Sequence, residues 1–203
     1  MQDDRYRSLD IGTVLVEFHW QQYLCRMVAD PKERQMIDDA MFQSGLWDEV
    51  DRGVWTEQEV LDAFFARVPQ YREDIQRIYD NIGTSLIKNA YADNWIDEMK
   101  ARGLRVLFLS NYARYIIDKV PESFTFLEKM DGGVFSCDVH LLKPDPAIYQ
   151  TCLEQYQLTA ERCLFIDDRK DNCEAAQKFG IHTVHFQTFE QAHADAQRLL
   201  EQA

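Results

Sequence analysis

The chain has 203 residues, 46% hydrophobic and 12% aromatic, enough to fill a core, which excludes an intrinsically disordered segment. Its 35 acidic residues outnumber 22 lysines and arginines, a net charge of −13 with no basic cluster to offset it, which argues against a nucleic-acid partner. The five cysteines (Cys25, Cys137, Cys152, Cys163, Cys173) form no CxxC pair, as expected for reduced thiols, and no apolar run nears the ~20 residues that cross a bilayer. The opening MQDDRYRSLD holds no apolar signal core, so a soluble, cytoplasmic protein with no membrane partner is expected, monomer or homodimer.

The length suits one domain with a small insert. The first strand is expected before Asp10, in LDIGTVLV, yet Arg5, Tyr6, Arg7 and Ser8 are polar for a strand buried on both faces. Either the strand is short and Leu9 enters the core last, or the arginine heads reach the sheet margin. Residues 19–88 carry helical patterns (QQYLCRMVAD, PKERQMIDDAMFQ, TEQEVLDAFFARV, YREDIQRIYDNI) and no strand, with Thr56 and Glu59 spaced as a capping box. This block is expected to be an all-helical insert lying as a lid over the carboxyl edge of a sheet.

From about Leu104 the chain alternates. RVLFLSN is a buried strand, followed by helical material broken at Pro121. GVFSCDVH is a short extended segment, and DPAIYQTCLEQYQL is a helix with Pro146 in its first turn. CLFIDD is a strand, DNCEAAQKFG a helix stopped at Gly180, IHTVHF a strand, and FEQAHADAQRLLEQA a closing helix. Alternation of this kind implies a parallel sheet with helices on both faces.

Four pieces distant in sequence hold the candidate chemistry: Asp10, then Ser110 at the end of VLFLSN, Lys143 in LLKPDPAIY, and Asp167 and Asp168 closing LFIDD. Loops leaving the carboxyl ends of parallel strands converge on one crevice, so three carboxylates, an ammonium and a hydroxyl are expected together. Hard oxygen donors suit a divalent cation, and a carboxylate beside it suits nucleophilic attack on phosphorus. Taken singly, each residue has a plainer role: Asp10 a turn cap, Ser110 or Asn111 a helix start, Lys143 a solvated cation, the paired aspartates helix caps. Their order and placement together favour a site. In the insert, Trp47, Asp51 and Arg52 of WDEVDRG form the cluster positioned to face a substrate, or else Arg52 holds the insert together by an ion pair. Trp20, Trp47, Trp55 and Trp95 are expected mainly as core, and His182 and His185 as packing or surface residues.

In this order, DIGTVLVEF, LSN, LLKPDPAIY and FIDDRKDN resemble the four motifs of the haloacid dehalogenase-like (HAD) hydrolase superfamily. They are most similar to its sugar-phosphatase branch related to α-D-glucose-1-phosphate phosphatase. The resemblance implies a doubly wound α/β fold, with a mostly parallel Rossmann-like sheet in residues 1–18 and 89–203 and an all-helical cap in 19–88. It implies a Mg²⁺-dependent phosphatase acting on a small phosphorylated metabolite, a sugar phosphate in that branch, through an aspartyl-phosphate. Asp10 is then the nucleophile, with Gly12 (through its carbonyl), Asp167 and Asp168 completing the metal site and Asn172 orienting them. Ser110, Asn111 and Lys143 bind phosphate, Lys143 also offsetting charge on Asp10. The second aspartate that many relatives carry two positions on is here Gly12, which leaves the proton donor among Glu17, His19 and a water. Two other readings are a metal-free haloacid dehalogenase, disfavoured by the paired acids, and a weakly catalytic phosphate-ligand binding or regulatory member.

Overall fold

Successive residues of a strand face opposite sides of a sheet, and the buried strand CLFID uses both sides. In CLFID, Leu164 and Ile166 pack into one apolar cluster while Cys163 and Phe165 pack into the other. A sheet apolar on both faces must be covered on both, and helices do so here. The structure is a computed structural model that describes the backbone of residues 6–202 and the side chains of residues 10–201.

The elements in chain order are β1 (Tyr6–Leu9), β2 (Val16–Phe18), α1 (Trp20–Met27), α2 (Pro31–Met41), α3 (Leu46–Arg52), α4 (Glu57–Arg67), α5 (Arg72–Asp80), β3 (Leu86–Lys88), α6 (Ala92–Ala101), β4 (Arg105–Ser110), α7 (Arg114–Lys119), β5 (Gly133–Phe135), α8 (Ser136–Val139), α9 (Pro146–Tyr156), β6 (Cys163–Asp167), α10 (Lys170–Gln177), β7 (His182–His185) and α11 (Phe189–Gln202). Five strands form a parallel sheet in the order β5-β4-β1-β6-β7. Buried residues of α9 and α10 pack on one face, and those of α6, α7 and α11 on the other. This is the expected doubly wound α/β fold.

The polar first strand is central despite its arginines: Leu9 aligns with Phe108 on one side and Ile166 on the other. Arg5 lies outside the described residues, as does the side chain of Arg7. The chain order reverses at β1, between β4 and β6, which opens a crevice beyond their carboxyl ends. Asp10, Ser110 and Asp167 all stand at that edge.

The insert differs from expectation at one point. Its last three residues, Leu86–Lys88, form a strand that pairs antiparallel with Val16–Phe18. The two chain crossings therefore zip into a small ribbon instead of remaining loops, since the outgoing and returning chains run side by side and satisfy each other's backbone groups. The other regular elements of 19–88 are all helices, and Thr56 with Glu59 makes the expected reciprocal capping box, an arrangement worth ~1 kcal/mol. GVFSCDVH also departs from expectation: only Gly133–Phe135 is extended, and Ser136–Val139 turns into a short helix. No described helix is long and apolar enough to cross a membrane. All five cysteines are free.

Candidate active site

The site is built on Lys143, whose side chain is buried at 3% exposure between two carboxylates. Its Nζ lies 2.9 Å from Asp10 Oδ1 and 2.7 Å from Asp167 Oδ2. A buried ammonium is costly alone and is retained only when anions compensate it. Burial pulls the Lys143 ammonium down, but the charges of Asp10 and Asp167 outweigh this and leave it above its ordinary value. It is a fixed cation at neutral pH.

Three donors converge on Asp10 Oδ1: the Lys143 ammonium, the Ser110 hydroxyl at 2.6 Å and the Ile11 N–H at 2.8 Å. They fix the plane of the carboxyl group. Burial nevertheless pushes Asp10 up to about 7, Lys143 pulling it down and the charges of Asp167 and Asp168 pushing it further up. Asp168 is raised for the same reasons, burial first and then the charge of Asp167, while a hydrogen bond from the Thr13 side chain opposes both.

Asp167 is fully buried and densely held. Asn172 Nδ2 donates to both of its oxygens, at 3.0 and 3.1 Å, and the Arg169 N–H donates to Oδ1 at 2.8 Å. The Tyr149 hydroxyl in turn donates to the Asn172 carbonyl at 3.0 Å. The Asp168 backbone carbonyl lies 2.9 Å from His185 Nε2, so this histidine of β7 supports the acidic turn.

Three observations test whether a divalent cation fits. Oxygens of Asp10, Asp167 and Asp168 can lie within 4.8 Å of one another. Three carboxylates face a single ammonium, so negative charge is left over in a largely buried place. Asn172 Oδ1 is buried with no partner among the described residues. Hard oxygen donors with surplus charge suit Mg²⁺, and the residues fit. The Gly12 carbonyl accepts from the Val14 N–H at 2.6 Å, which leaves its second lone pair available.

The Asn111 side chain has a task of its own. It clasps the Lys143 backbone, Oδ1 accepting from the N–H at 2.8 Å and Nδ2 donating to the carbonyl at 3.0 Å. The side chain is thereby committed to holding the lysine loop, and its backbone amide is what remains for an anion.

A cavity of about 330 Å³ opens over these groups. From the core it is lined by Asp10, Ser110, Lys143 and Asp168, and from the insert by Trp20, Phe42, Trp47, Asp48 and Asp51. Trp20 and Trp47 are thus wall as well as core. Ring centroids of Phe42 and Trp47 are 4.9 Å apart, and Trp47 stacks on Phe64 at 6.3 Å, contacts that fix the wall's shape. Arg52 is not among the lining residues; it pairs with Glu49 at 3.5 Å. Glu17 and His19 pair with each other, and neither lines the cavity.

Thr13, Tyr112 and Arg169 also line the cavity and carry no sequence signal of their own beyond adjacency to the motif residues. Asp51 had one, its place in a turn-rich acidic stretch of the insert.

A family model described as "Hydrolase: haloacid dehalogenase-like hydrolase" matches residues 22–180. Acyl-CoA dehydrogenase family member 10 of Mus musculus is 34% identical over 107 residues, 52% of this chain but only 10% of that protein's length. The sesquiterpene phosphatase astK of Aspergillus oryzae is 22% identical over 87% of this chain and 86% of its own. A HAD family enzyme of Bacteroides thetaiotaomicron, solved in complex with magnesium and inorganic phosphate, superposes with a TM-score of 0.74 at 20% identity, covering 91% of this chain and 95% of that one. At that identity the likeness concerns the fold.

Proposed function

The chain belongs to the haloacid dehalogenase-like hydrolases, and on that premise we propose that it is a Mg²⁺-dependent phosphatase of a small phosphorylated metabolite. The observation that carries this reading is Asp10 held by Lys143 and Ser110 beside two further carboxylates at the floor of a cavity. A solved neighbour of the same fold holds magnesium and phosphate.

In this reading Asp10 is the nucleophile and its carboxylate attacks phosphorus, the P–O bond to the alcohol breaks, and the phosphoryl group passes to Asp10 as an aspartyl-phosphate. Water then attacks that phosphorus, releasing phosphate and restoring the carboxylate. Mg²⁺, held by Asp10, Asp167, Asp168 and the Gly12 carbonyl, would supply charge neutralisation for the phosphate oxygens. Lys143 stabilises the charge that gathers as two anions meet, and because it is already locked between carboxylates it needs no reorganisation. The Ser110 hydroxyl and the Asn111 backbone amide receive phosphate oxygens. Asn172 acts by orienting Asp167. Residues 19–88 act as a cap on a core of residues 1–18 and 89–203, and the β2–β3 ribbon is the crossing between them.

A sugar phosphate is the substrate the motif resemblance implies. The cavity favours a second reading, a phosphate ester of an apolar alcohol. Phe18, Trp20, Phe42, Trp47 and Ile116 line it, and one relative is a sesquiterpene phosphatase. Such a wall gains from burying hydrocarbon and offers a sugar's hydroxyls few partners. Phosphate release from matched sets of sugar phosphates and prenyl or alkyl monophosphates with Mg²⁺ decides the matter. Turnover confined to sugar phosphates removes the apolar reading, and release from neither set, alongside halide release from 2-haloacids, removes the phosphatase.

A further inference from the structure

Gly12 leaves no carboxyl group on the nucleophile's own loop to protonate a departing alkoxide. An alkoxide is a strong base and leaves slowly unless it is protonated as it goes. The cavity wall offers two carboxyl groups from the insert, Asp48 and Asp51, both on α3. Asp48 is exposed, whereas Asp51 is half-buried, and Asp51 is the one that senses the charges of both Asp10 and Lys143.

The seat of Asp51 is set by the core. The Ser136 hydroxyl donates to the Asp51 carbonyl at 2.5 Å, and the same hydroxyl accepts from the Tyr112 N–H at 2.9 Å. Tyr112 lies just beyond Ser110 and Asn111, so one hydroxyl ties the end of α3 to the loop expected to receive phosphate. One residue on, His140 Nδ1 lies 3.0 Å from the Arg52 carbonyl. At Gly53 the backbone comes so close that a Cβ would sit 2.6 Å from Cys137 Cβ. Three adjoining contacts thus press the end of α3 onto α8 and the residue that follows it, and Asp51 lines the same cavity as Asp10.

We propose that Asp51 is the general acid and base of this site: it protonates the leaving oxygen and then takes a proton from the attacking water. The proposal rests on the phosphatase reading. In the first half, the Asp10 carboxylate bonds to phosphorus, the ester P–O bond breaks, and the Asp51 proton goes to the alcohol oxygen. In the second, water bonds to phosphorus as the Asp10–phosphorus link breaks, and the water's proton restores Asp51. The sum is one ester and one water giving one alcohol and one phosphate.

The surroundings are consistent with a proton held at neutral pH. Burial, then the charges of Asp48 and Asp10, push Asp51 up to about 8, with Lys143 pulling the other way. Tyr112, Asp168 and Arg169 complete the ionisable wall of the cavity, and the Tyr112 hydroxyl is raised by burial first and then by Asp51 and Asp10, so it stays neutral. Among these groups Asp51 is the one able both to lose and to regain a proton near neutrality without belonging to the cluster that would hold the metal.

The test compares Asp51→Asn with the parent on two Mg²⁺-dependent substrates, an alkyl phosphate and p-nitrophenyl phosphate, whose stable leaving anion needs no proton. kcat/KM reports the first half alone. Expected is a fall of roughly 10²–10⁴ in kcat/KM for the alkyl ester, against about threefold or less for p-nitrophenyl phosphate. The variant should also show a burst of p-nitrophenolate followed by slow turnover, because the second half has lost its base. The parent's alkaline fall in kcat/KM for the alkyl ester should disappear in the variant. Equal losses on both esters, or no loss on either, would overturn the assignment. A parent that hydrolyses neither ester instead refutes the phosphatase reading, an outcome seen without the variant.

Discussion

Asn111 and Lys143 are joined by a reciprocal pair of hydrogen bonds, the amide of one closing on both backbone groups of the other at 2.8 and 3.0 Å. The end of β4 thereby fixes the loop that carries the lysine, and the lysine in turn fixes Asp10. The end of β4 and the charge compensation of Asp10 are therefore one mechanical unit.

Asn111→Ala removes this clasp without touching a charged group. A small misplacement of a positioned group is expensive, so kcat/KM should fall by roughly 10–100-fold with KM changing less than kcat. Asn111→Asp keeps the acceptor for the Lys143 N–H and loses the donor to its carbonyl, and should fall between parent and Ala. Steady-state kinetics on one phosphate ester ranks the three, and parental rates for Asn111→Ala would show that the loop holds itself.

Lys143→Ala should cost roughly 10²–10³ in kcat/KM, comparable with losing one preorganised electrostatic donor. Lys143→Arg should not fully rescue, because a planar fork does not fit between carboxyl oxygens 2.9 and 2.7 Å from a compact ammonium. Near-parental rates for both variants would mean that the ion pair serves folding alone.

Asp168→Ala should weaken Mg²⁺ binding while leaving the fold intact, since Asp168 sits at the sheet edge and its charge repels Asp167. A thermal shift reads this without any substrate. The parent should gain stability with rising Mg²⁺, and the variant should need a higher concentration for the same gain while matching or exceeding the parent in EDTA. Equal Mg²⁺ dependence would remove Asp168 from the metal set.

Gly53→Ala tests the docking of α3. Gly53 has a φ of 68°, and the added Cβ would meet Cys137 Cβ at 2.6 Å. Left-handed strain and overpacking each cost about 1–3 kcal/mol, so Tm should fall, and activity should fall beyond what the stability loss explains because Asp51 is displaced. An Ala variant with parental Tm and kcat would show that the contact at Cys137 is loose.

The core of the site was legible because most of its residues stand at the ends of short strands. Asp10, Ser110 and Asp167 follow strands whose ends the parallel order brings to one edge, and Lys143 precedes a helix marked by Pro146. The cap contribution was only partly legible. Asp51 stood out as part of an acidic turn, but its place over Asp10 depends on Gly53 packing on Cys137 and on the Ser136 hydroxyl, contacts between distant segments that no local pattern announces. Leu86–Lys88 was missed because three residues are too short for periodicity, and α6 because its buried Trp95, Ile96 and Met99 make a narrow stripe in an acidic stretch. The clasp of the Asn111 side chain on the lysine loop was not legible, because it joins segments 32 residues apart.

In the proposed function Asp10 transfers a phosphoryl group with Mg²⁺ bound beside it. The most direct measurement is phosphate release from the best ester of a phosphomonoester panel by the parent and by Asp10→Asn, each with Mg²⁺ and with EDTA. Expected are release by the parent with Mg²⁺, its loss in EDTA, and a fall of at least about 10³-fold in Asp10→Asn, as for removal of a covalent nucleophile. Parental release by Asp10→Asn, or release by the parent that EDTA leaves untouched, would contradict the proposed function.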